Sequence, residues 1–284
     1  MQARKPKGTK MMYGSAMVVA LGLLAATSVQ AAPIQVNATE DSAQPGFFTL
    51  DFGAEVGSTT GLITSSDYGL EVDPDAGTAR LTDYYQEVES LNLFGQFPTG
   101  DIVVTVVEGS STGTYNKVTR EFTTTETYLV YFAADLSAFG LVSPVELEST
   151  STGTVDISTE RGASHVNLHW DGASDIAGEE YTYTCQVNTA FSASMTQIVD
   201  LGLKSSVLEL NLAQSYEDQL IGPLDMAGLR LEQGNLSSAR RNLVVFVDRV
   251  EGFRGGVISW PAANAIMDDA NFVIAKITPR FLRK

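Results

Sequence analysis

The apolar residues of this chain repeat in two different ways, and the change near Leu201 limits what it can fold into. From Pro33 to about Val199, short Val/Ile/Tyr/Phe runs alternate with Ser/Thr/Gly punctuation, and no convincing helical stretch interrupts them. Ile102 to Val107 is nearly continuously apolar, as expected of a strand covered on both faces, and Tyr128 to Ala133 reads the same way. Tyr181 to Asn188 alternates strictly, placing Tyr181, Tyr183, Cys185 and Val187 on one face and polar residues on the other. Turn signals at Asp73-Pro74-Asp75-Ala76-Gly77, Pro98-Thr99-Gly100-Asp101 and Asp171-Gly172 separate the runs. Many short strands without intervening helices predict a β-sandwich of jelly-roll-like type.

After Leu201 the spacing becomes three and four. Leu220, Leu224, Ala227 and Leu231 make one helix face, and Ala239, Leu243, Phe246, Val250 and Phe253 a second. Ala263, Ile266, Ala270, Val273 and Ile277 make a third. Gly234-Asn235 ends the first helix and Ser259-Trp260-Pro261 opens the last. Three short amphipathic helices cannot each bury a face alone, so a small all-α bundle is expected, with Leu208 to Leu212 as a fourth element.

Charge divides the chain at the same place. Arg4, Lys5, Lys7 and Lys10 precede an acid-free apolar run from Met11 to Ala26, and Val29 and Ala31 suit an A-x-A-like cleavage site. Residues 1–31 therefore read as a signal peptide, which implies a secreted or periplasmic protein; an uncleaved anchor is the alternative. Residues 32–200 carry 25 acids and 4 bases, whereas residues 201–284 carry 9 acids and 10 bases. The expected organisation is an acidic β-domain over 32–200 and a helical domain over 201–284, joined by a cleavable linker near 199–206. So negative a surface repels phosphate backbones and anionic lipid, which argues against nucleic acid as a partner and against membrane association once the leader is removed. Cys185 stands alone, so no internal disulfide forms, and a small buried hydrophobe is its expected role.

The stretch Gln219-Leu-Ile-Gly-Pro-Leu-Asp-Met-Ala-Gly-Leu-Arg-Leu-Glu-Gln-Gly-Asn235 is followed by Ala239, Leu243, Phe246 and Val250, then by Arg254-Gly255, Ile258, Ala263, Ile266 and Ala270. This order resembles the FIMAH domain, a small helical module at or near the C-terminus of exported bacterial proteins, many of them multidomain hydrolases. The resemblance covers about residues 205–278. It implies an accessory module and brings no catalytic residues. Gly222-Pro223 is expected to interrupt the start of its first helix.

Several patterns could carry chemistry. Gly109-Ser110-Ser111-Thr112-Gly113 is a literal G-x-S-x-G, followed by Asp135 and His165 in the order of an α/β-hydrolase triad. The residues after it, Tyr115 to Thr123, form a β run where the nucleophile elbow needs a helix, so a loop between strands is expected. His165 and His169 alternate with Val166, Leu168 and Trp170, so they belong to a strand, about 13 Å apart and beyond a shared zinc ion. No cofactor is expected except calcium, for which Asp73 and Asp75 offer two carboxylates on one turn; a simple Asx turn is the competing reading. Glycan binding by a β-sandwich needs exposed aromatic rings, and Tyr84, Tyr85 and Trp170 are the candidates, Trp170 because Asp171-Gly172 would end its strand. The sequence thus predicts an exported non-catalytic binding or structural module, its partner a glycan or a cell-surface protein. The alternative is a secreted hydrolase acting on polysaccharide or ester.

Overall fold

A computed structural model describes residues 32–55, 57–158, 164–176 and 179–278; the expected signal peptide lies outside the described residues. The strands are β1 (Ile34–Glu40), β2 (Phe47–Asp51), β3 (Ser58–Asp73), β4 (Thr78–Val88), β5 (Asn92–Leu93) and β6 (Phe97–Pro98). They continue as β7 (Ile102–Val106), β8 (Thr112–Tyr115), β9 (Glu121–Phe132), β10 (Val145–Asp156), β11 (Ser164–Ile176) and β12 (Glu179–Phe191). The helical part comprises α1 (Met195–Gln197), a π-helical stretch Ile198–Leu203, α2 (Lys204–Glu209), α3 (Gln214–Glu232), α4 (Leu236–Phe253) and α5 (Trp260–Ile277). The fold is the expected β-sandwich followed by helices.

One ten-stranded antiparallel sheet makes the whole sandwich, with β5 and β6 forming a separate hairpin. Its layers are continuous, because β1 and β2 each pair with both β3 and β12. On the opposite side β7 and β8 each pair with both β4 and β9. Each of these couples fills one place in the ring, so the sheet closes on itself among the described residues. With each couple counted as one place, successive places along the chain are neighbours in the ring, a meander rather than the long crossovers of a jelly roll.

The closed sheet is filled by side chains. Trp170 stacks on Tyr128 at 4.5 Å and meets Phe48 and Tyr183 at 5.6 Å each, while Tyr84 and Tyr128 pack edge to face at 5.2 Å. Several polar atoms inside are paired with one another: Trp170 Nε1 donates to Tyr84 Oη (3.2 Å), and the buried Glu126 carboxylate accepts from Tyr128 Oη (2.9 Å), Ser111 Oγ (3.3 Å) and Ser151 Oγ.

Two features place side chains differently from the sequence pattern. Asp171-Gly172 is no turn, since β11 runs on to Ile176; Gly172 is there because Tyr183 lies across it, and a methyl group at that position would stand 2.2 Å from Tyr183 Oη. Trp170 therefore sits in mid-strand and faces inward. In β4 a bulge at Thr82 shifts the register between Gly69↔Asp83 and Leu70↔Leu81. The extra residue changes the parity, so that both Leu81 and Tyr84 point inward although three positions apart.

Each predicted helix face is realised. Leu220, Leu224 and Ala227, then Ala239, Leu243, Phe246 and Val250, then Ala263, Ile266, Ala270, Val273 and Ile277 form one buried cluster, with Leu231 and Phe253 at its margin. Gly234 takes φ 68° after α3, the Asn235 side chain accepts from Ser238 N, and the Ser259 side chain accepts from Ala262 N. The expected break at Gly222-Pro223 does not occur: α3 runs from Gln214 through Pro223. Proline removes the donor to the carbonyl four residues back, and Arg249 Nη1 of α4 donates to that carbonyl, on Gln219. The fourth helical element lies over 195–209 rather than 208–212, opened by a capping box between Ser194 and Gln197.

No exposed linker occupies residues 199–206. Val199, Leu201, Leu203 and Ser205 are buried there, Leu201 within the core of the sheet and Val199, Leu203 and Val207 within that of the helices. Ile157 and Ala193 pack against both cores, Ser205 Oγ donates to Lys117 O (2.6 Å), and Gln197 Nε2 donates to Gln35 O (2.7 Å). All described residues fall in one compact unit. Leu201→Ala is accordingly expected to cost about 2–5 kcal/mol and to destabilise both parts together, in a single urea transition followed by tryptophan fluorescence and helical circular dichroism. Separate transitions by the two probes would mean that the parts unfold independently.

Candidate functional site

The sharpest catalytic pattern is used structurally. Ser111 lies where the chain passes from β7 to β8, and its Oγ accepts from Leu81 N at 2.9 Å, a backbone donor left without a ladder partner by the gap between the two strands. Ser110 Oγ accepts from Thr127 N on the other side of the gap (3.1 Å). Asp135 Oδ1 accepts from Ser137 N, and His165 Nδ1 lies 3.5 Å from Asp41 Oδ2 on the outer surface. The partners of Ser111, Asp135 and His165 thus lie in three different places. His169 shares the outer face of β11 with His165, as the alternation predicts, and approaches Asp171 at 3.8 Å.

The aromatic candidates separate. Trp170 and Tyr84 are buried inside the sheet, which corrects the expectation that they are exposed, for the two reasons given above. Tyr85 points outward and is 40% exposed. Asp73 Oδ1 accepts from Asp75 N (3.0 Å) and Ala76 N (2.8 Å), so its carboxylate closes an Asx turn. The Asp75 carboxylate takes no part in that turn, and no group of three or more ligating side chains fit for a metal ion is present among the described residues.

Asp75 instead forms part of the wall of a cleft of about 260 Å³ between the helices and the adjoining end of the sheet. The β3–β4 turn contributes Pro74 and Asp75, the turn before β9 contributes Lys117, and the start of β1 contributes Ile34. Facing them are Asp200 and Lys204 from the helix after β12, and Glu217, Asp218, Ile221, Asp225 and Glu232 from α3. Six carboxylates thus meet two lysines. Lys204 Nζ bridges Asp200 Oδ1 (2.7 Å) and Asp225 Oδ1 (2.8 Å). Burial pushes the Asp200 carboxyl above the usual carboxylate range despite the pull of Lys204. For Lys204, burial acts downward, but Asp200 and Asp225 outweigh it and hold the ammonium above its ordinary value. Gly228 makes room for this arrangement, since a methyl group there would stand 2.8 Å from Asp200 Oδ1.

Sequence reasoning reached only Asp75 among these groups. Asp200 and Lys204 stand at i,i+4, an ordinary surface pairing, and nothing in their spacing places α3 opposite a sheet turn. A second concavity, of about 610 Å³, lies on the outer face of the sheet around Tyr85, with Asn37, Asp67, Asp83 and Glu108 about it.

No family model matches the chain, and no curated protein matches it.

Proposed function

We propose that the protein is an exported, non-catalytic binding module whose junction cleft receives a cationic group, such as a lysine or arginine side chain of a cell-surface partner. The observation that carries this reading is the charge of the cleft. After Lys204 is spent on Asp200 and Asp225, Asp75, Glu217, Asp218 and Glu232 face Lys117 alone among the charged side chains lining it. Walls drawn from a sheet end and a helical bundle, with Ile34 and Ile221 beside the carboxylates, suit the aliphatic stem of such a side chain as well as its charge. The helical part is read as a FIMAH-like accessory module, consistent with its order of buried positions. The structural roles of Ser110, Ser111 and Asp135 favour binding over hydrolysis.

Export rests on the leader pattern at residues 1–31. Most outward positions of β9 and β10 are polar, among them Glu121, Thr123, Thr125, Thr127, Glu146, Glu148, Thr150 and Thr152; Leu129 and Tyr131 are the exceptions on these two strands and do not make the apolar band that a bilayer-spanning barrel presents to lipid. No helix among the described residues is long and apolar enough to cross a membrane.

Calorimetric titration of residues 32–284 with an arginine-rich peptide tests the cleft. Binding is expected to weaken steeply between low and high salt, and Glu217→Gln with Glu232→Gln is expected to reduce affinity about tenfold or more. Unchanged affinity in that double variant would move the site elsewhere. A calcium titration in the same series asks whether the turn at Asp73 and Asp75 takes an ion.

A further inference from the structure

The concavity at Tyr85 is separate from the junction cleft, and we infer that it is a sugar-ring site, selective for pyranose rings without acidic substituents. Three features of the sheet build it. The bulge at Thr82 turns Asp83 and Tyr85 outward together, opposite Gly69 and Asp67 of β3. Gly69 leaves room in the row Asn37–Gly69–Asp83, and the Gln35, Thr82 and Asn37 side chains meet over it. Finally, β4 pairs with β7 only from Tyr85 onward and with β8 only up to Ala79, so the sheet beside residues 80–84 lacks its neighbour strand. Val106 and Glu108, at the end of β7 and just beyond it, form the margin of the opening.

The floor is ordered before any ligand arrives. Gln35 Nε2 donates to Thr82 Oγ1 (3.1 Å) and to Asn37 Oδ1 (3.2 Å). This bridge passes over Gly69, where a methyl group would lie 2.3 Å from Thr82 Oγ1 and 2.6 Å from Gln35 Nε2. The Tyr85 hydroxyl donates to Glu87, which fixes the plane of an exposed ring. An aromatic face of this kind takes the C–H face of a sugar ring, while adjacent carboxylates and amides take its hydroxyls. About 610 Å³ accommodates one or two rings. Asp67, Asp83 and Glu108 surround the ring without a basic partner among the lining residues, so they accept hydroxyl hydrogens and repel uronate or sulfate groups.

The test is a depletion assay of residues 32–284 on insoluble neutral polysaccharides, cellulose and mannan, beside covalently cross-linked alginate whose uronates are ionised at the same pH. Binding is expected on at least one neutral polymer and not on alginate. Tyr85→Ala is expected to lower that affinity at least about tenfold, with an unchanged circular dichroism spectrum. Tyr131→Ala, which removes another outward tyrosine of the sheet (39% exposed), is expected to leave it unchanged. The Glu217→Gln, Glu232→Gln double variant is also expected to leave it unchanged, which keeps this site distinct from the cleft. Retained binding by Tyr85→Ala, preference for alginate, or depletion by none of the polymers would each overturn the assignment.

Discussion

Trp170→Ala is expected to lower the unfolding free energy by roughly 3–5 kcal/mol, the range for deleting a buried indole. Trp170 is fully buried and touches three aromatic rings from β2, β9 and β12, so its loss leaves a cavity at the meeting point of several strands. It also removes the donor to Tyr84 Oη, which keeps its own donation to Gln86 Oε1 but loses the bond it accepts, a further cost inside the sheet. Urea unfolding followed by circular dichroism measures the effect as a lower midpoint at unchanged slope. Trp170→Phe retains much of the ring volume and should recover part of the loss. A change below about 1 kcal/mol in the alanine variant would mean that the interior can collapse around the missing ring, against the packing described.

The second large effect is on alkaline stability. Burial pushes the Cys185 thiol from 9.0 up to about 12, and pushes the Tyr68, Tyr84 and Tyr128 hydroxyls above their ordinary 10.0. In the unfolded chain these groups lose their protons near their ordinary values, whereas in the folded chain they keep them. The unfolded state therefore binds fewer protons over that window, and stability falls as pH rises. The contribution is fully present below about pH 9 and is lost progressively as pH approaches 12. For Cys185 alone the interval corresponds to roughly 4 kcal/mol, and the tyrosines add to it. Lys204, held above its ordinary 10.5, acts in the same direction at the upper end of the range. Urea midpoints taken from pH 8 to 11 should decline, and Cys185→Ala should remove the earliest part of the decline. A flat profile would contradict the burial of these groups.

What was legible in the sequence was the pattern of local periods. The alternation at Tyr181 to Asn188 and the three- and four-residue spacings after Leu201 each reflect one element meeting one core, and both placed their side chains correctly. What failed depended on a partner strand or helix. The inward turn of Tyr84 follows from one extra residue at Thr82 measured against β3. The reading of Gly172 as a turn follows from not seeing Tyr183 above it. Pro223 reads as an interruption near the start of its helix because Arg249, thirty residues from Gln219, supplies what the proline removes. The linker expected near residue 200 is absent for a related reason. A change of period marks where one kind of structure begins, not whether its side chains are shared between two cores. The cleft was illegible for the same cause, since its carboxylates come from a sheet turn and two helical segments whose proximity no local pattern encodes.

The closure of the sheet also governs how a partner can recognise this protein. A strand with free backbone groups invites another chain to lengthen the sheet, a mode of association whose affinity comes from main-chain bonds and is therefore tolerant of sequence. The principal ring offers no full-length free edge along its described strands, only short gaps such as the one beside residues 80–84. Recognition there has to be written in outward side chains, which alternate with the packed interior and can be exchanged without disturbing it. Specificity can then diverge by single substitutions at positions such as Asn37, Asp67 or Tyr85 while the scaffold stays the same, which makes the outer wall a natural surface for selecting new ligands in the laboratory.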